Sequence, residues 1–113
     1  MNDKMASEVS EIAIEEGKRA LQYRDFSTAT QIFSNALIEG KIDEPEYWCN
    51  LAKALFYQAQ FESALKCWHE AATRDPTNKK IWVRISALYA LMGDDDLAIY
   101  YYKLAEQLPV PEE

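Results

Sequence analysis

The chain has 113 residues, of which 49% are hydrophobic and 27% charged, a composition typical of globular proteins and unlike that of disordered chains. Its formal net charge of −7 argues against nucleic acid as the main partner, because phosphate binding needs a concentrated excess of Lys and Arg. No segment approaches the roughly 18 apolar residues of a membrane span, and the first residues lack the apolar core of a secretory signal. We therefore expect a cytoplasmic protein with no membrane partner.

The predicted elements are all helices. Only three glycines and four prolines occur, and no stretch alternates apolar and polar residues between turn signals as strands do. Pro76 ends one helix, because proline lacks a donor and disfavours helix at the residue before it. The Gly93-Asp94 pair separates the last two helices. In chain order the predicted helices are 8–23, 26–39, 45–58, 61–74, 79–92 and 95–107.

These helices carry an internal repeat. Trp82 follows Trp48 by 34 residues, and the same spacing matches large with large and small with small residues over most of two helix pairs. Further upstream, Phe33 stands 35 residues before Trp68, and Gly17 the same distance before Ala52. The other pairs that share the 34-residue spacing are Leu51 with Ile85, Leu55 with Tyr89, Ala64 with Ala98, Trp68 with Tyr102 and Ala71 with Ala105.

The repeat resembles the tetratricopeptide repeat (TPR) family, whose unit of about 34 residues is a helix pair. The resemblance implies an all-α fold of three helix-turn-helix repeats, stacked in a right-handed superhelical array whose first helices line a concave face. It implies one TPR domain over 1–113, with repeats at about 10–44, 45–78 and 79–112. Met1 and the acidic end also lead us to expect a complete protein. The second copy carries the family pattern most fully, in Trp48, Leu51, Ala52, Leu55, Ala64, Trp68, Ala71 and Pro76.

The resemblance further implies which residues look into the concave groove. An exposed apolar strip rimmed by polar groups usually marks a binding site, although some of these side chains could instead be buried between helices. Because the polar groove positions are mainly basic in an acidic chain, we expect a peptide segment that is apolar and acidic, or one that ends in a carboxylate. The predicted peptide-binding residues are Ile14, Lys18, Leu21, Asn50, Lys53, Phe56, Tyr57, Lys80, Val83, Arg84 and Leu91.

TPR domains that hold the acidic tails of heat-shock chaperones use a five-residue carboxylate clamp. Asn50, Lys80 and Arg84 match that clamp in residue type. The two positions in the first repeat do not match, because Ile14 stands where a basic residue belongs and Lys18 where an asparagine belongs. A complete clamp is therefore not expected.

Three functions remain open. The first is an adaptor or scaffold that binds a peptide segment of another protein. The second is a small acidic chaperone of a bacterial secretion system, holding a secreted subunit. The third is a homo-oligomeric module, such as a homodimer, in which Tyr100 and Tyr101 form a self-association surface while Tyr102 packs within its own helix pair.

Catalysis is not expected, since the sequence shows no nucleophile with a base and no metal-binding or phosphate-binding motif. His69 is predicted to face outward from the fourth helix. Asp94-Asp95-Asp96 lacks the alternating ligands of a calcium loop and suits a helix start. Cys49 and Cys67 are predicted to be packing residues, and no cofactor or metal is expected.

Overall fold

The computed structural model describes residues 3–38 and 44–109, with side chains described from residue 11 onward. Within those ranges the chain forms six α-helices and no strand. The ends of the first and third predicted repeats, 39–43 and 110–112, lie outside the described residues. In order the helices are α1 Asp3–Gln22, α2 Phe26–Ile38, α3 Pro45–Tyr57, α4 Phe61–Arg74, α5 Lys79–Leu91 and α6 Asp95–Glu106.

The all-α prediction is confirmed, and the helix bounds agree closely with those expected, with one difference. The first helix begins at Asp3 and not at residue 8. No glycine or proline interrupts the first sixteen residues, so nothing stops the helix from extending beyond the apolar pattern used to predict it.

Each helix pair closes through the same turn. Arg24, Ala59 and Gly93 lie at equivalent repeat positions, and all have positive φ, at 63°, 60° and 87°. The residue after each donates its N–H to a carbonyl five residues back, which satisfies a group left free at the helix end. Asp94 then caps α6, because its Oδ1 accepts from the backbone N–H of Leu97 at 3.1 Å.

The pairs α1/α2, α3/α4 and α5/α6 stack in chain order, with α3 packed on α2 and α5 packed on α4. The resulting array measures 46 × 30 × 24 Å. Small residues let the backbones approach closely, while large side chains fill the space between pairs. The fully buried alanines are Ala29, Ala52, Ala54, Ala64 and Ala71, and the largest fully buried side chains are Tyr47, Phe33, Ile81 and Ile85.

One prediction about α6 and one about α4 are wrong. Tyr102 is 52% exposed, whereas Tyr101 is half-buried, with its ring stacked on those of Tyr89 and Trp82. His69 does not face outward but is half-buried, with its ring centroid 5.5 Å from that of Tyr101. Both errors share a cause, because α6 places Tyr101 back against α4 and α5 and turns Tyr102 away from them.

Among the described helices, none combines the length and apolar character needed to cross a membrane.

Candidate functional site

A cleft of about 310 Å³ lies between α3 and α5 on the face formed by the first helices of the pairs. Its walls come from residues spaced three and four apart on each helix, which places them on one face. Trp68 of α4 closes its base. The lining residues are Lys53, Phe56, Tyr57, Trp68, Arg84, Ala87, Leu88 and Leu91.

Aromatic contacts hold the α3 wall in place. The Tyr57 ring stacks on Phe26 with centroids 4.7 Å apart, and Phe56 meets both Tyr57 and Phe61 at 5.5 and 5.6 Å. The Arg24 guanidinium lies 5.8 Å from the Tyr57 ring centroid, within cation–π range. Phe56 and Tyr57 therefore stay exposed on a wall that is ordered before any ligand arrives.

The cleft is basic although the chain is acidic. Lys53 and Arg84 lie on opposite walls and no Asp or Glu lines the cleft. Within the described residues, neither side chain has a carboxylate within 4.0 Å, and the same holds for Lys80. All three are exposed. Two or three cations beside apolar walls suit a ligand that offers both an apolar side chain and a carboxylate.

The other half of the concave face is arranged differently. The Lys18 Nζ atom lies 2.7 Å from Glu46 Oε1, and this contact joins α1 to α3. The hydrogen bond and charge of Glu46 raise the pKa of Lys18 above its ordinary value. Ile14 and Leu21 are partly buried against the core. These three predicted binding residues are therefore engaged in contacts within the chain and are less available to a ligand.

The repeat explains the difference between the halves. Residues 18 and 46 correspond to residues 53 and 80, so the Lys18–Glu46 pair is replaced by two lysines in the next junction. Like charges cannot close the gap between α3 and α5 as the ion pair closes the gap between α1 and α3. Sequence comparison at this spacing would have revealed the change.

Five of the predicted binding residues line the cleft, namely Lys53, Phe56, Tyr57, Arg84 and Leu91. Lys80 and Val83 are exposed on α5 outside the lining, and Asn50 is buried, with no hydrogen-bond partner for Nδ2 within the described part of the chain. Trp68 and Leu88 were not predicted as site residues. Trp68 was predicted only as part of the repeat pattern, although a side chain that fills the space between pairs also forms the base of any gap between them.

The two predicted self-association residues have different surroundings. Tyr100 is exposed, with its ring edge against Tyr101 at 5.0 Å. Tyr101 belongs to an internal aromatic cluster with Trp82, Tyr89 and His69. In that cluster the His69 Nε2 atom lies 3.3 Å from the Tyr89 hydroxyl, and burial lowers the pKa of His69.

Both cysteines have packing surroundings. Cys67 is buried and Cys49 half-buried, and neither forms a disulfide. Burial raises the pKa of both thiols, that of Cys67 to about 11, so they remain protonated and weakly nucleophilic at neutral pH.

Comparison with known proteins also identifies a helix-pair repeat in this chain. The family model described as Tetratricopeptide repeat matches residues 45–78, the span of α3 and α4 with their connections. The chain is similar to human General transcription factor 3C polypeptide 3, with 29% identity over 106 residues. That alignment covers 82% of this chain but only 12% of the human protein.

Solved structures share the fold. MamA (41-end) from Desulfovibrio magneticus RS-1 superposes with a TM-score of 0.79 at 14% identity, covering 85% of this chain and 54% of MamA. The TPR2B domain in the pHsp70 complex of yeast Sti1 gives a TM-score of 0.77 at 20% identity, covering 84% and 75%. The chain thus spans about half the length of MamA. The chain therefore carries a tetratricopeptide repeat at residues 45–78 and has the TPR fold of three stacked helix pairs.

Proposed function

We propose that this chain is a protein-interaction module that binds a peptide segment of a partner protein in the cleft between α3 and α5. The observation that carries the proposal is that exposed apolar walls lie beside two cations, Lys53 and Arg84, that form no ion pair with any described residue, in a chain of net charge −7. An apolar cleft with a few convergent polar groups is the usual form of a binding site.

The walls supply affinity and the cations supply orientation. Burying one Leu-sized or Phe-sized side chain between Phe56, Tyr57 and Leu91 contributes roughly 1.5–3 kcal/mol before the costs of ordering the peptide. A carboxylate on the same segment then pairs with Arg84, whose planar guanidinium can donate two parallel hydrogen bonds, and with Lys53. The preferred ligand is therefore apolar and acidic.

The carboxylate is held by the second and third pairs and not by a five-residue clamp. Two clamp positions fall on Ile14, which is partly buried, and Lys18, which is paired with Glu46. The fold of the Sti1 domain, solved as a complex with pHsp70, supports a protein ligand for this array. The secretion-chaperone and homodimer alternatives and the cytoplasmic location stay predictions.

Selection from a random peptide library displayed on phage tests the proposal. The wild-type chain should enrich peptides that combine a large apolar residue with Asp, Glu or a free carboxyl terminus. The Lys53→Glu/Arg84→Glu double variant should lose the enriched peptides, since it reverses both charges that line the cleft.

The matched control is Lys66→Glu/Lys103→Glu, which makes the same change in net charge at exposed positions on second helices. It should retain the enriched peptides. Enrichment of basic peptides, or equal loss in both double variants, would contradict binding in the cleft.

A further inference from the structure

Two side chains of the first helix pair have partners on the second pair. The Lys18 Nζ atom lies 2.7 Å from Glu46 Oε1. The Phe26 ring stacks on the Tyr57 ring, with centroids 4.7 Å apart and planes 15° from parallel. The Gln58 side chain, directly after α3, also donates to the Phe26 carbonyl at 3.2 Å. The first pair thus presents a cation and an aromatic ring, and the second pair supplies a carboxylate, a ring and an amide.

The second pair presents the same two groups again. Lys53 stands 35 residues after Lys18. Phe61 stands the same distance after Phe26. Lys53 is exposed on α3, and Phe61 is half-buried at the first residue of α4. The positions that receive a partner in the first pair therefore carry the same residue types in the second.

The partners change in the third pair. The carboxylate is replaced by an ammonium group, the aromatic ring by an aliphatic side chain, and the amide by a thioether. Within the described residues, Lys53 forms no ion pair, and the one ring that meets Phe61 is that of Phe56, at 5.6 Å and tilted by 57°. Phe61 therefore lacks the stacked ring that Phe26 has. At the 34-residue spacing, Glu46 is replaced by Lys80, Tyr57 by Leu91 and Gln58 by Met92.

Phe61 lies at the edge of the cleft. Its ring is beside that of Phe56, which lines the cleft. Leu91 also lines the cleft and is 56% exposed, and the next residue, Met92, borders with Phe61 a shallow open depression. Glu62 lines the same depression, so a ligand carboxylate is disfavoured there and favoured at the lysines of the cleft.

We infer that the cleft ligand supplies the two groups that α5 lacks, a carboxylate beside Lys53 and Lys80 and an aromatic ring stacked on Phe61. The inference rests on the proposed binding of a peptide in the cleft, and it names the side chains that the peptide presents. An aromatic side chain suits Phe61 better than an aliphatic one. Ring contacts add to affinity beyond the area that they bury, by about twofold to tenfold.

The first junction also indicates how far apart the two groups lie. Glu46 and Tyr57 are 11 residues apart on α3, which corresponds to a rise of about 16 Å. An extended peptide covers that distance in about five residues, at roughly 3.3 Å per residue. The ligand therefore carries its acidic residue and its aromatic residue about five positions apart, in either order along the peptide.

A second copy of the chain does not offer these groups. Its Glu46 and Tyr57 have the required spacing, but they already contact Lys18 and Phe26. Placing them in the cleft of another copy would break the ion pair and the stacked rings of the first junction. The occupant is therefore a peptide segment of a partner protein, as in the proposed function.

A phage-displayed library with a central Glu and random residues on both sides tests the inference. The wild-type chain should enrich Tyr, Phe or Trp about five positions from the Glu, in preference to Leu, Ile or Val. The most enriched peptide and an analogue with Leu in place of the aromatic residue then serve as fluorescein-labelled probes. Fluorescence anisotropy with the full chain should show about threefold or more tighter binding of the aromatic probe.

Two variants test the role of Phe61. Phe61→Leu removes the ring but keeps an apolar side chain, so the ratio of the two probe affinities should fall to near one. Leu91→Tyr gives Phe61 a ring from within the chain, as Tyr57 does for Phe26, and should weaken the aromatic probe about threefold or more. The matched control, Gln22→Tyr, adds a tyrosine at the equivalent exposed position of the first pair and should change affinity less than about twofold. Circular dichroism and thermal melting check that each variant is folded.

The outcomes separate this inference from the proposed function. Binding without an aromatic preference, or an affinity ratio that Phe61→Leu leaves unchanged, would overturn the inference alone. Equal effects of Leu91→Tyr and Gln22→Tyr would do the same. Failure of both this library and the fully random one would overturn the proposed function as well.

Discussion

The two junctions between helix pairs use equivalent repeat positions but make different polar contacts. In the first junction, where α3 meets α1 and α2, Lys18 pairs with Glu46, and the Gln58 side chain donates to the Phe26 carbonyl and to the Thr30 hydroxyl. In the second junction, where α5 meets α3 and α4, Lys53 and Lys80 replace the ion pair. Met92 replaces Gln58 and cannot make its hydrogen bonds.

The comparison separates residues that hold the array from residues left for a ligand. Both junctions bury a large aromatic residue, so both are stable packing interfaces. Among the described residues, only the first also uses an ion pair, Lys18–Glu46, to join the concave edges of its helices. In the second, Lys53, Lys80 and Arg84 form no ion pair with a described residue, and the cleft lies between its helices.

The largest effect is expected from the packing that both junctions share. Phe33→Ala should lower the free energy of unfolding by about 3–5 kcal/mol, because it opens a cavity at a fully buried site. Tyr102→Ala, at the equivalent but uncovered position, should cost under about 1 kcal/mol. Urea denaturation measures both losses in the free energy of unfolding. Equal losses would show that packing against the next helix pair does not determine how much the residue at this position stabilises the fold.

The next effect is steric and compares the first helix pair, where a side chain would be enlarged, with the second, where one would be removed. A Cβ at Gly17 would clash with the Phe33 ring, so Gly17→Ala should destabilise by about 1–3 kcal/mol despite the better helix propensity of alanine. At the equivalent position of the second pair, Ala52 is fully buried, and Ala52→Gly should cost about 1 kcal/mol. A Gly17→Ala variant more stable than wild type would show that the Phe33 ring yields easily.

A smaller effect concerns ligand affinity. Lys80→Glu restores a carboxylate opposite Lys53, as in the first junction, and should weaken a library-selected acidic peptide about tenfold, or 1.4 kcal/mol. Lys18→Gln should change affinity less than about twofold, because Glu46 already occupies Lys18. Isothermal titration calorimetry distinguishes the two. Equal losses would mean that the peptide uses the first half of the concave face as well.

The smallest effect is a pH dependence of stability. Burial lowers the pKa of His69 from its ordinary 6.5, so below that pH the unfolded chain takes up a proton that the folded chain resists. Stability should therefore fall as the pH drops from about 6.5 toward the lower folded pKa. His69→Gln should flatten this part of the profile in urea denaturation at about pH 7.5 and 5.5. If the pH dependence of stability is unchanged in His69→Gln, a group other than His69 causes it.

Sequence reasoning predicted the helices well because their signals are local. Periodic apolar residues and the turns at equivalent positions specify each pair without knowledge of its neighbours. The repeat spacing then predicts which residues fill the junctions, and Phe33 and Trp68 lie where that spacing places them.

The site was less predictable because exposure depends on what packs beside a residue. Tyr102 has the residue type and position of a packing aromatic, but its burial requires a following helix. Lys18 has the character of a binding lysine, but Glu46, far along the chain, reaches it only after the pairs stack. His69 likewise becomes half-buried only when Tyr101 lies against it.

The most direct test of the account is a map of amide chemical-shift changes in the ¹⁵N-labelled chain on titration with a library-selected peptide. We predict the largest changes on the cleft walls, at Lys53, Tyr57, Arg84 and Leu91, with little change at Ile14 and Lys18. Changes centred on α1, or spread equally over both junctions, would contradict the claim that the open second junction is the binding site.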